Sequence, residues 1–142
     1  METDEYRTLE GTSEGVYKEK GSKFIAIASP VGSVDEVKLQ LDKLRKQYHD
    51  ARHHCYAYRI GYEPIEFRQN DDGEPSGTAG KPILGQIQSF ELTNTLVVVI
   101  RYFGGVKLGT GGLIQAYRTA ARTSLENGKI ITKRWTIFAE IK

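Results

Sequence analysis

The chain has 142 residues, a formal net charge of +2 and one cysteine, Cys55. That length is one domain with room for a core, and a lone cysteine excludes an internal disulfide. The charge is too small to argue for nucleic acid from the total, no apolar run nears the ~20 residues of a membrane span, and the acidic N-terminus lacks a signal-peptide apolar segment. A cytoplasmic location is the expectation.

Residues 15–20 and 23–29 flank Gly21-Ser22 and predict a hairpin. Ser33-Val-Asp-Glu36 is a capping box, and Val34, Val37, Leu41, Leu44 and Tyr48 then recur at helical spacing. Residues 55–60 and 65–68 predict two strands around a turn at 61–64. Pro82 suits the first turn of a helix, with Ile83, Leu84, Ile87 and Phe90 as its apolar face. Residues 96–100, Leu-Val-Val-Val-Ile, predict a central strand buried on both faces. Gly111 and Gly112 are expected to open the next helix. Leu113, Ala116, Tyr117, Ala120, Ala121 and Leu125 form its buried side, and Asn127-Gly128 closes it. A strand near 129–132 follows, and residues 135–141 alternate like another.

Between Leu92 and Leu125 there is no Asp or Glu. The charges in that stretch are Arg101, Lys107, Arg118 and Arg122. Gly104, Gly105, Gly109, Gly111 and Gly112 fall within it, between the buried strand and the helix. A cationic strand–loop–helix suits an anion, because backbone N–H groups and a helix N-terminus already favour negative charge. With Thr110, these residues make the candidate anion or nucleic-acid surface. The phosphate motifs fail in detail. Gly104 and Gly109 have the Walker spacing, but Thr110 and Gly111 stand where Lys and Ser/Thr belong. The dinucleotide fingerprint misses its third small residue at Ile114. The same glycines could serve packing geometry alone.

A second glycine-rich loop is acidic: Asp71, Asp72, Gly73, Glu74, Ser76, Thr78 and, just beyond, Lys81. Its carboxylates could hold a cation or move protons; they also suit plain turns, with Ser76 or Thr78 capping the following helix. His49, His53, His54 and Cys55 cluster, yet no second Cys or His pair completes a metal site, and Cys55 in a strand pattern reads as a small buried thiol. No catalytic residue, metal or cofactor is assigned.

The segments Arg101-Tyr-Phe-Gly-Gly-Val-Lys-Leu-Gly-Thr-Gly-Gly-Leu-Ile-Gln-Ala-Tyr117 and Asp71-Asp-Gly-Glu-Pro-Ser-Gly-Thr-Ala-Gly-Lys-Pro82 resemble the IMPACT family, which includes bacterial YigZ-like proteins. Lys20-Gly-Ser-Lys-Phe-Ile25 and Ala51-Arg-His-His-Cys-Tyr-Ala57 extend the likeness over roughly 15–126. His54 stands where the family often has Asn, and Gln115 where Arg is common. The resemblance implies an α+β fold like domain 2 of ribosomal protein S5, with a mixed sheet and helices packed on one face, over 1–134. Residues 135–142 would then begin a linker or a ferredoxin-like domain. The fold analogy to translation factors, together with the cationic loop, leads to the expectation of a translation-linked regulatory or binding module without catalysis, with RNA, the ribosome, a translation factor or another protein as candidate partners. Neither membrane binding nor sequence-specific DNA contact is expected. An alternative is a small phosphate-ligand binder or enzyme that uses both glycine-rich loops together, which requires them to meet in one cleft.

Overall fold

The computed structural model describes residues 4–135. Five strands form one sheet: β2 (Ser13–Glu19), β3 (Ser22–Pro30), β4 (His53–Gly61), β5 (Ile65–Asn70) and β6 (Thr95–Tyr102). Their spatial order is β2-β3-β6-β4-β5, and every neighbouring pair is antiparallel. The expectation of a mixed sheet is therefore corrected. The strands lie side by side without parallel pairing, although helices intervene between them in sequence. A separate antiparallel pair joins β1 (Glu5–Leu9) to β7 (Ile130–Arg134); β1 carries no strong sequence pattern and was not expected. The alternating segment beyond Trp135 lies outside the described residues.

Three helices complete the α+β fold: α1 (Val34–Gln47), α2 (Gly80–Ser89) and α3 (Gly109–Glu126). Side chains alternate across the central strands. Phe24, Ala26, Ala28, Cys55, Ala57, Val97 and Val99 face α2 and α3, where they meet Ile83, Ile87, Leu113, Ala116, Tyr117 and Ala120. Ile25, Ile27, Tyr56, Tyr58, Leu96, Val98 and Ile100 face the other way, onto Val37, Leu41 and Leu44 of α1. The helices thus cover both faces of the sheet, not one. Small residues on the α2/α3 face let two helices sit close, while bulky ones on the other face fill the space under a single helix. Burial of each large side chain in these layers contributes about 1.5–3 kcal/mol.

The capping box at α1 forms as read: the Ser33 hydroxyl accepts from the Glu36 amide at 3.2 Å, while Glu36 Oε1 reaches back to the Gly32 amide at 2.9 Å. α1 ends at Gln47 and β4 begins at His53, so His49 and His53 do not share a helix. α3 begins at Gly109, earlier than the Gly111–Gly112 start expected.

A candidate binding cleft between two glycine-rich loops

The acidic loop folds around its own carboxylates. Asp71 Oδ1 accepts from the amides of Ala79 (3.1 Å) and Gly80 (2.8 Å), and Oδ2 accepts from Gly77 (2.9 Å). A carboxylate at the start of α2 satisfies orphan donors and complements the helix dipole. Neither Ser76 nor Thr78 caps that helix; the Thr78 hydroxyl donates to the Pro75 carbonyl at 2.6 Å. Asp72 Oδ2 accepts from the His54 amide at 2.7 Å, tying the loop to β4. Both aspartates are therefore engaged in holding the loop. Asp71→Asn should lower stability by about 1–3 kcal/mol, because an amide in place of the carboxylate leaves a donor facing a donor; urea denaturation reads this directly. No change in the midpoint would mean that the three amides find other acceptors.

Glu74 is the carboxylate that turns inward, with 8 % of its surface exposed. Its Oε2 accepts from Arg101 Nη1 at 2.8 Å and from the Tyr117 hydroxyl. Oε1 lies 3.6 Å from His53 Nε2. The other ring nitrogen of His53, Nδ1, is 2.8 Å from the Asp72 carbonyl; a carbonyl can only accept, so Nδ1 carries the proton and Nε2 faces Glu74. Arg101 comes from β6, is 5 % exposed, and gives Nη2 to the Ser22 hydroxyl at 3.3 Å. The guanidinium lies near the rings of Phe24 and Phe103, each about 5.4 Å away. Among the described residues its Nε has no hydrogen-bond partner. The central cation of the acid-free stretch is thus neutralised by a carboxylate from the opposite loop.

Burial pushes the Tyr117 hydroxyl well above its ordinary range, with Cys55 and Glu74 adding to the shift. Tyr117 stays a protonated donor to Glu74. Burial likewise pushes the Cys55 thiol up, against the opposing hydrogen bond with Tyr117. Cys55 Sγ sits 3.1 Å from the Asp71 carbonyl and 3.4 Å from the Tyr117 oxygen. A thiol held in the neutral form is a poor nucleophile, so Cys55 serves packing, as its strand pattern suggests.

The two loops share one cleft of about 340 Å³. His53, Glu74 and Pro75 form one side. Lys107, Leu108, Gly109, Thr110 and Leu113 form the other, with Arg52, Phe103 and Arg101 completing it. The first turn of α3 has no side-chain cap and no acidic residue, so its amides are open to a ligand's acceptors. Gly104 anchors the loop, its amide donating to the Ser22 hydroxyl at 3.1 Å, while Gly105 and Gly109 take left-handed backbone angles. Gly73 turns beside the His53 ring. Arg52 went unrecognised in the sequence. Its amide donates to the Arg101 carbonyl at 3.1 Å, and its guanidinium stacks 4.8 Å over Phe103, a pairing that only the β4/β6 register creates.

The remaining cations stand apart. Arg118 lines a different cleft with Lys81 and Gln69, nine residues along α3 from Gly109, or about 13 Å. It donates to Gln115 Oε1 at 3.3 Å. Arg122 is exposed one further turn along. Among the described residues no group of His, Cys, Asp and Glu could hold a metal ion, and no helix is long and apolar enough to cross a membrane.

The Impact N-terminal domain family model matches residues 20–125, which includes both loops and every wall of the cleft. The chain is 40% identical over 129 residues to the IMPACT family member YvyE of Bacillus subtilis, covering 91% of this chain and 59% of that protein. It is 40% identical over 124 residues to the IMPACT family member YigZ of Escherichia coli, covering 85% and 59% respectively. The chain therefore spans about three fifths of the length of these curated relatives. Among solved structures, a crystal structure of a hypothetical protein superimposes with a TM-score of 0.86 at 34% identity, over 94% of this chain and 66% of the other. The two-domain translational regulator Yih1 superimposes with a TM-score of 0.52 at 28% identity, over 84% of this chain and 48% of the other.

Proposed function

The chain belongs to the Impact N-terminal domain family, and from that premise we propose that it is a translation-linked, non-catalytic binding module that contacts RNA phosphate through loop 104–112. The likeness to the translational regulator Yih1 supports the link to translation. The fold analogy to domain 2 of ribosomal protein S5 belongs to this same proposal.

One observation carries the binding surface. A Cβ built at Gly111 meets nothing within 4 Å, and Gly111 has no positive φ. A glycine inside a helix costs about 1 kcal/mol relative to alanine, and neither packing nor backbone geometry requires this one. Close approach of a ligand to the open first turn of α3 gives it a use. Lys107 and Arg52 add positive charge at the same mouth. Arg118 and Arg122 stand apart from the cleft, about 13 Å and more along α3 from Gly109, a separation that a polymer could span and a single phosphate could not.

Gly111→Ala should raise stability by about 0.5–1 kcal/mol and weaken binding to a short single-stranded RNA, measured by fluorescence anisotropy at low salt. Lys107→Ala should weaken binding and reduce the salt slope by about 1. Unchanged RNA affinity in both variants would remove the proposal. A second reading, a small phosphate ligand held by both loops, is favoured by their sharing one cleft. Its carboxylate chemistry falls to Glu74 beside His53, since Asp71 and Asp72 are engaged in the loop. Arg118→Ala separates the two: it weakens a polymer that runs along α3 and leaves a ligand confined to the cleft unaffected.

A further inference from the structure

The sheet has two edge strands, and they are finished differently. At β2, the Asn127 side chain donates to the Glu14 carbonyl at 2.8 Å, and the Ser13 hydroxyl donates to the Ser124 carbonyl at 2.8 Å. Gly15 lies so close to α3 that a Cβ there would fall 2.5 Å from the Ser124 amide. That edge is tied down by the helix. At β5 a helix reaches only the C-terminal end, where Gly80 of α2 packs against Gln69 and Asn70, and Ile65 to Arg68 stay exposed. Among the described residues β5 pairs only with β4, and five of its six residues are exposed, Asn70 being the exception. Phe67 is 58% exposed and Ile65 37%, with Tyr62 at 42% just before the strand. An exposed apolar edge is a template for another strand.

The sequence of β5 selects the occupant. It reads Ile65-Glu-Phe-Arg-Gln-Asn70. In an antiparallel pair of two copies centred on Phe67, residue 66 of one copy faces residue 68 of the other. The two-fold axis therefore sets Glu66 against Arg68 twice, and Phe67 against Phe67. No ion pair within the chain engages Glu66 or Arg68 among the described residues. Opposite charges directly across a ladder stabilise it, and like charges there destabilise it. Glu66 and Arg68 share one face of β5, and Ile65, Phe67 and Gln69 share the other. The apolar side chains would thus meet on one side of the new ladder and the charges on the other. This is the self-complementarity an isologous interface demands.

We infer that β5 is a homodimer interface, pairing antiparallel with the β5 of a second copy about a two-fold axis at Phe67, to give a continuous ten-stranded sheet. The inference is independent of what loop 104–112 binds.

The test is a charge-reversal cycle read by sedimentation over a range of protein concentrations. The unsubstituted chain should self-associate reversibly. Glu66→Arg and Arg68→Glu should each raise the dimer dissociation constant by about tenfold or more, because each turns two attractive pairs into two repulsive ones. The double variant Glu66→Arg/Arg68→Glu should restore association, and Phe67→Asp should abolish it. These side chains are exposed, so circular dichroism should show all four variants folded. A chain that stays monomeric at about millimolar concentration would overturn the inference and leave the edge to a different partner. So would a dimer indifferent to both reversals, which must use another face, or failure of the double variant to recover.

Discussion

Glu74→Ala should destabilise the domain by about 3–5 kcal/mol, the usual cost of stripping one partner from a buried ion pair. The reason lies in what remains. Arg101 has 6 % of its side chain exposed and holds its charge against Glu74 at 2.8 Å; without that carboxylate it is a buried cation whose other side-chain contacts are the Ser22 hydroxyl and two aromatic rings. The Tyr117 hydroxyl loses its acceptor in the same stroke. Urea denaturation of the single variants Glu74→Ala and Arg101→Met and of the double variant checks the cause. If the uncompensated charge dominates, the double variant is more stable than Glu74→Ala, since replacing both ends of a buried pair by apolar groups is often close to neutral. A loss below about 1 kcal/mol for Glu74→Ala would instead mean that water reaches Arg101 easily, as for a surface pair. Loss of RNA binding in Glu74→Ala is expected only as far as the loops separate, because in the proposed module Glu74 holds the cleft's two sides together.

Gly104→Ala is the second large effect, at about 3 kcal/mol or more, the upper end of the cost of overpacking. A Cβ at this position would fall 2.1 Å from the carbonyl carbon of Gly21 and 2.4 Å from both the Gly21 oxygen and the Ser22 nitrogen. These are backbone atoms, so no side-chain rotation relieves the clash. The β2–β3 turn must move off the loop, and Ser22, which accepts from both Gly104 and Arg101, moves with it. Thermal unfolding should show a lowered midpoint for Gly104→Ala and a raised one for Gly111→Ala. That pair separates the glycine the fold requires from the glycine it does not. Equal effects of the two substitutions would defeat the distinction.

The sequence was most legible where a local pattern has one physical solution. The apolar run of β6 could only be buried on both faces, the capping box at Ser33 closes without tertiary help, and the apolar stripe of α1 had to lie on something. The two glycine-rich loops also stood out, because glycines clustered between regular elements serve either geometry or a ligand. Which glycine does which depends on the distance to a chain segment tens of residues away, and no spacing rule carries that.

The layering of the helices was not legible for the same kind of reason. The side chains of β3, β4 and β6 are apolar on both faces, which the expectation of helices on one face did not use, and the strands by themselves do not say which helix covers which face. Small residues against α2 and α3, and larger ones against α1, decide it by volume, and only when all three strands are aligned in register. β1 was missed because Glu5-Tyr-Arg-Thr-Leu9 becomes a strand by pairing with β7, far away in sequence.

By itself, then, the sequence carried the central strand and the two glycine-rich loops through composition and local spacing, while the family and the α+β class followed from the resemblance of its two long motifs to known proteins. Tertiary structure decided the electrostatics. Seen in the chain, Arg101 is a free cation in an acid-free stretch and Asp71, Asp72 and Glu74 are three equivalent carboxylates. In the fold, Arg101 is neutralised by Glu74, the aspartates hold their own loop, and Lys107 with Arg52 remains at the mouth of the cleft. Charge depends on distance and burial, and both are set by contacts between residues that sequence order keeps apart.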